Sequence, residues 1–211
     1  MKNRRKIKKS TIVIDIILVI STCLVLLPIV TMVMTSLKTF EDVQMNPASL
    51  IPKEFTLKNY VTVFTEFPFT QYLINTLFIT ITSTIGITLT SALVAYAFSR
   101  FDFKYKGIIF AVMLSTIMIP GQILQIPLYE MYRGMGWINT YKPMIIPAFL
   151  GGGITNVFLI RQFFNSLPKS IFESAQIDGA GEFRIFATIA VPLSKAIIFT
   201  VAIFSFTASW N

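Results

Sequence analysis

Between Pro168 and Pro192 the chain reads PKSIFESAQIDGAGEFRIFATIAVP, a polar, helix-forming stretch set between two apolar runs of membrane length. Ser170 stands three residues before Glu173, the spacing of a capping box, in which a serine oxygen and a glutamate side chain satisfy the free amides of a helix start. Asp178-Gly179-Ala180-Gly181 follows. Glycine accepts backbone angles that other residues resist, so this tetrapeptide predicts a tight turn between two short helices, about 171–177 and 182–189. Phe183, Phe186 and Ala187 recur at helical spacing in the second, and Pro192 is expected to end it. The chemistry on offer is recognition, because a helix end that seats in a groove on another protein must present small residues there. The bland alternative is an amphipathic loop lying on a membrane surface, with Glu173 serving only as a cap. Catalytic chemistry has little to work with. The chain has no His and one Cys, Cys23, which excludes a Ser-His-Asp triad, a His-Cys zinc site, the HExxH motif and an intramolecular disulfide.

The elements that would carry this loop are written in the composition. Of 211 residues 54% are apolar, 20 are Phe and only 13% are charged, too apolar for an ordinary soluble domain of this size. A helix needs about 20 residues to cross a hydrocarbon core, and runs of that order fall at about 11–35, 75–99, 107–128, 143–164 and 193–208. The fold class predicted is all-α, a polytopic helix bundle in a membrane. A basic tail at 1–10 precedes the first span, a polar segment at 36–74 separates it from the second, and 75–211 holds the remaining four with the 168–192 loop among them. The net charge of +8 is a topology signal and no sign of nucleic acid. Six Lys and Arg lie in the first nine residues, and with that tail inside only Lys38, Lys53, Lys58, Arg133 and Lys142 of the 18 fall outside, as the positive-inside rule requires. The first apolar run is too long for a signal-peptide core and is read as a retained span.

Within the spans, the second is rich in Thr and Ser with Gly86 inside it, a composition that lets backbones approach and bond across the contact or else lines a pathway. Pro120-Gly121 and Pro127 interrupt the third, and a break at that depth needs protein or a water-filled cavity around it. Gln122 and Gln125 follow the break, so they are candidates for a translocation wall or for side chains that bond neighbouring helices. Gly151-Gly152-Gly153 and Asn156 mark the fourth span, where each glycine weakens a helix by roughly 1 kcal/mol; another helix or a ligand must come close there. Asp15 is the only acid inside a span, expected at the inner interface beside a Lys or Arg. Cys23 reads as a small packing residue.

The Pro168–Pro192 stretch resembles the EAA loop of ABC-transporter permeases, whose pattern is E-A-A, three residues, G, nine residues, I-x-L-P. Here it is Glu173-Ser174-Ala175, Gly179 and Ile189-Ala190-Val191-Pro192, with Ser174 for Ala and Val191 for Leu. Ser36-Leu37-Lys38, Pro52, Leu57-Lys58-Asn59-Tyr60, Asn75-Thr76-Leu77 and Ala95-Tyr96-Ala97-Phe98-Ser99-Arg100 extend the likeness to the carbohydrate-uptake branch similar to the maltose-system membrane subunits. The resemblance implies a permease subunit of an ATP-driven, binding-protein-dependent importer for sugars or oligosaccharides, in a bacterial inner membrane with its amino terminus in the cytoplasm. It implies a coupling helix at 174–180, with Glu173, Ser174, Ala175, Asp178, Gly179, Ala180, Phe183 and Pro192 meeting the ATPase. It further implies a second permease, two copies of an ABC ATPase carrying ATP and Mg, and an extracellular or periplasmic solute-binding protein, with no cofactor and no metal held by this chain. Such permeases have six spans, and Trp210-Asn211 resembles the start of the W-N-D loop before the sixth, so by that comparison the chain stops one span early. A secondary transporter or channel would carry deep ionisable groups or an inverted repeat, and a membrane enzyme a converging cluster of acids, nucleophiles or metal ligands. Neither pattern is read here. An importer of another small polar solute stays open.

Overall fold

The computed structural model describes residues 9–210; the basic tail through Lys8 and the terminal Asn211 lie outside them, as does the expected pairing of Asp15 with that tail. Every regular element among the described residues is helical, as the sequence predicts. Three helices are long and apolar enough to cross a membrane, and five if each of two bent pairs counts as one span. The chain divides into two units, residues 1–72 and 73–211.

The first unit opens with α1, Lys9–Ser36, apolar around its whole circumference, the pattern of a helix solvated by lipid or by other helices. Cys23 on α1 is exposed, so the expected packing role is not met among the described residues; no side chain from 12 to 36 is buried. After it the polar segment folds around a buried lysine. Lys38 is 1% exposed, and its Nζ donates to Asn46 O at 3.1 Å and Ser49 O at 2.5 Å, the compensation a buried ammonium requires. Short helix α2, Phe40–Met45, starts at Thr39, whose hydroxyl accepts from Asp42 N. Buried Asp42 in turn accepts from Asn46 Nδ2 and from Lys53 N. Helix α3, Lys58–Thr65, is tied to the end of α1: Asn59 Nδ2 donates to Ser36 O and Lys38 O, and the Tyr60 and Ser36 hydroxyls meet at 2.6 Å.

Helix α4, Phe69–Arg100, begins before the predicted second span and is about 48 Å long at 1.5 Å per residue. In the second unit its small and hydroxylated face is the seam of the bundle. Ala92, Ala95, Tyr96 and Phe98 enter one core with Phe110, Val157, Ile160, Phe164 and Val201. The third run is not one rod. Helix α5, Lys106–Ser115, tightens into a 3₁₀ turn at Thr116–Met118 and gives way to α6, Gly121–Gly134, at an angle of 99°. Proline explains the corner: it forces the residue before it out of the helical region, and Ile119 sits at ψ 114°.

The fourth run is likewise interrupted. Helix α7, Lys142–Ile145, passes into a 3₁₀ turn at Ile146–Phe149, and α8, Ile154–Ser166, starts only after three glycines with φ of +119°, +69° and +84°. The glycines therefore break the helix rather than weaken it. Hydroxyls of α4 cover the interrupted stretch: Ser83 donates to Met144 O at 3.0 Å and Ser91 to Gly152 O at 3.0 Å, while the Thr90 hydroxyl, bonded to Gly86 O of its own helix at 2.7 Å, lies 3.3 Å from Ala148 O. Of the two readings of the Thr-rich span, this is the packing one. Gly86 and Gly152 make the approach possible. A Cβ on Gly86 would lie 2.7 Å from the Phe149 ring, and one on Gly152 would collide with the Ser91 side chain and the Ile87 carbonyl. The last run comprises α9, Lys169–Ile177, α10, Glu182–Ile185, α11, Val191–Leu193, and α12, Lys195–Trp210.

Candidate functional site

The 168–192 loop is built from its two ends inward. Helix α9 starts at Lys169 behind Pro168, and no side chain caps it. The predicted capping box is thus not formed. Pro168, at φ −58° and ψ 127°, takes the capping position itself, which moves Ser170 into the first turn, and the Ser174 hydroxyl returns to Ser170 O at 2.9 Å. The Glu173 side chain is exposed and makes no hydrogen bond or ion pair among the described residues; its carboxylate is left facing outward.

At the far end of α9 the turn follows the Schellman pattern. Ala180 N donates to Ala175 O at 2.9 Å, Gly179 N donates to Gln176 O at 3.0 Å, and Gly179 holds φ +77°. Ala175 and Ala180 pack on the core, while Asp178 and Gly179 are exposed between them. A Cβ added at Gly179 would meet nothing within 4 Å, so the turn requires glycine for its backbone angle and not for space within this chain. Beside the turn stand Ile177, 86% exposed, and Phe183, 76% exposed. Two large apolar side chains flank a fixed turn, a surface shaped for contact.

The second half of the loop departs from the expected single helix at 182–189. Helix α10 covers one turn, widens into a π turn at Phe186–Ala190, and α11 continues through Pro192. Pro192 does not end the pattern; the corner lies at Ser194, where the direction changes by 82°. Proline at 192 has no amide for the carbonyl four residues back, and the π turn just before it absorbs the mismatch. Ser194 N then donates to both Ala190 O and Val191 O at 3.1 Å.

Several contacts that anchor this loop, or the helices beside it, escaped the sequence reading. Glu182 accepts from Tyr96 OH of α4 and from Gln176 Nε2 of α9, each at 2.7 Å. Arg100, at the end of α4, lies over the Phe172 ring at 4.1 Å, and Phe172 is 1% exposed. Arg161 of α8 donates from Nε to Phe98 O at 3.1 Å and covers the Phe110 ring at 4.2 Å. Apart from Gln176 and Glu182, six residues from each other across the turn, the pairs are far apart in sequence, so no local spacing signalled them.

The three pathway candidates are not gathered into one site. Gln122 and Gln125 are exposed on α6, beyond the 99° corner. Gln125 lines an open recess with Tyr129, Tyr132, Asn139 and Thr140, and neither Gln122 nor Asn156 contributes to it among the described residues. Asn156 donates to Gly152 O at 3.0 Å and so serves the start of α8.

Residues 86–211, more than half of the chain, match the family of binding-protein-dependent transport system inner membrane components. A probable ABC transporter permease of Pyrococcus horikoshii is 33% identical over 188 residues, covering 88% of this chain and 68% of its own length. The diacetylchitobiose uptake system permease of Streptomyces coelicolor is 30% identical, covering 92% of this chain and 64% of that protein. The trehalose/maltose transport system permease of Thermococcus litoralis is 31% identical over 97% of this chain and 73% of that protein. The chain thus spans about two thirds of the length of the first two of these relatives. The fold matches a chain in the crystal structure of a bacterial ABC transporter involved in import of the polysaccharide alginate, with a TM-score of 0.86 over 98% of this chain and 74% of that one, at 23% identity. From residue 86 onward, the glycine-dependent seam, the broken spans and the anchored loop all fall within the matched region, and the chain belongs to the binding-protein-dependent transport system inner membrane component family.

Proposed function

We propose that this chain is a permease subunit of an ATP-driven importer that passes a sugar or oligosaccharide across a bacterial inner membrane, with its amino terminus and the 168–192 loop on the cytoplasmic side. The substrate class is supported by the relatives, which include uptake systems for diacetylchitobiose, trehalose/maltose and arabinooligosaccharides. A second permease completes the pathway, an external solute-binding protein delivers the cargo, and two ABC ATPase copies hold ATP and Mg. Hydrolysis belongs to those ATPases and not to this chain. The observation that carries the docking role is the exposed tip: Ile177, Asp178, Gly179 and Phe183 stand clear of the chain on a hydrogen-bonded turn whose inner side is fixed to the core.

Replacing Gly179 with Trp tests this. The site is open within the chain, so the substituted protein should insert into membranes as before while losing association with the ATPase and with it transport. Undiminished co-purification of the ATPase would remove the docking role. Cysteine labelling at Asn46, Lys58 and Ser170 tests the topology, with the first two reactive from outside and the third from inside.

A further inference from the structure

Between the exposed tip and the membrane helices one carboxylate joins three elements. Glu182 Oε1 is taken by Gln176 of α9 and Oε2 by Tyr96 of α4, both at 2.7 Å, so α10, α9 and α4 meet at a single side chain. Both bonds run to an ionisable acceptor, the stronger class of hydrogen bond. One turn further along α4, Arg100 stacks on Phe172 of α9 at 4.1 Å. The Tyr96 ring is itself clamped, edge-on to Phe164 at 5.9 Å and to Phe186 at 5.2 Å.

Attachment at two points one helical turn apart fixes direction as well as position. A single contact would let the loop swivel on α4; two contacts oblige α4 to follow it. The rest of the loop's grip is apolar packing of Phe172, Ile185 and Phe186, which is non-directional. At Ser91 and Ser83, α4 holds the interrupted stretch of the fourth span by its hydroxyls, so a displacement arriving at Tyr96 reaches the broken helix through the same element.

We propose that Glu182, held by Tyr96 and Gln176, is the latch that converts displacement of the 177–183 tip into movement of α4. It acts as a positioning residue and not as a contact to the partner, and the proposal rests on the docking role given above. Tyr96→Phe removes the donor while keeping the ring in its aromatic clamp; Glu182→Gln keeps the shape but can no longer accept from both neighbours.

The test uses the chain assembled with its second permease and ATPase in proteoliposomes, with Cys23 replaced by Ser and a spin label at Leu93, an exposed position of α4. ATP with vanadate is the probe. In the otherwise unsubstituted chain the label reports a nucleotide-driven change. In Tyr96→Phe and in Glu182→Gln that response should fall about tenfold, the equivalent of one hydrogen bond to a charged group, while ATPase capture and hydrolysis stay within twofold. The double variant should lose no more than either single one, as expected of partners in one interaction. A response at full size in both single variants with docking intact overturns the latch, and so does an additive loss in the double variant. Loss of ATPase capture in the variants would make Glu182 a structural support of the tip and also overturn it. Failure of the unsubstituted chain to capture the ATPase would overturn the docking role and the latch together.

Discussion

Gly152 offers the sharpest test of how the second unit is packed. It sits in the break of the fourth span at φ +69°, buried against α4, and a Cβ there would come within 2.7 Å of Ser91 N and collide with the Ser91 side chain and the Ile87 carbonyl. The left-handed angle costs an alanine about 1–2 kcal/mol, and overpacking against backbone adds about 1–3 kcal/mol, so Gly152→Ala should destabilise by about 2–5 kcal/mol. Gly136→Ala supplies the comparison, because Gly136 has nearly the same angle, φ +67°, with nothing within 4 Å of the added atom; it should lose only the angular part, about 1–2 kcal/mol. Unfolding of the purified chain by SDS titration from a mild micelle, followed by far-ultraviolet circular dichroism, measures both. Trimming the neighbour should not help, since Ser91→Gly leaves the Ile87 carbonyl in place. Equal stabilities of the Gly152→Ala and Gly136→Ala proteins would refute the reasoning, because the close approach of α4 would then contribute nothing.

Two further outcomes follow from charged groups away from the tip. Arg161→Met keeps the aliphatic stem but loses the bond to Phe98 O and the stacking on Phe110, and should cost about 2–4 kcal/mol in the same titration, with Arg161→Lys intermediate because an ammonium does not present the planar fork. Lys38→Met strips two carbonyls of their donor and should destabilise the 36–60 segment by about 2–4 kcal/mol; hydrogen exchange at Asn46 and Thr56 would speed up, and unchanged protection there would refute it.

How far these features could be read in advance depended on whether their cause was local. Asp178-Gly179-Ala180-Gly181 announced its turn because a positive φ is a property of one residue, and Pro120 announced a corner in the third run for the same reason. The size of that corner, 99°, was not local; Gln122 and Gln125 follow the break as read, and both are exposed on α6. The capping box failed on a competition that spacing alone does not settle: Pro168 takes the capping position, two residues before Ser170, and leaves Ser170 inside the first turn. Tyr96 with Glu182 and Arg161 with Phe98 are separated by 86 and 63 residues, and only the fold brings such pairs together. In the 36–60 segment four residues quoted as a family likeness share one cause, since Asn59 donates to Ser36 O and Lys38 O and the Tyr60 hydroxyl meets that of Ser36.

The hydroxyl seam between α4 and the fourth span has a consequence for substitution. Each bond runs from a side chain of α4 to a backbone carbonyl of the fourth-span stretch, at Met144 and Gly152, so the two sides of the same contact are unequally constrained. Met144 contributes only its carbonyl to this bond, and its side chain is exposed; many residue types could stand there without disturbing the seam. Ser83 and Ser91 contribute the donors, and Gly86 the absence of one side chain. A saturation library across both stretches should therefore return a lopsided tolerance map, permissive at Met144 and narrow along one stripe of α4, although each hydrogen bond belongs equally to both sides.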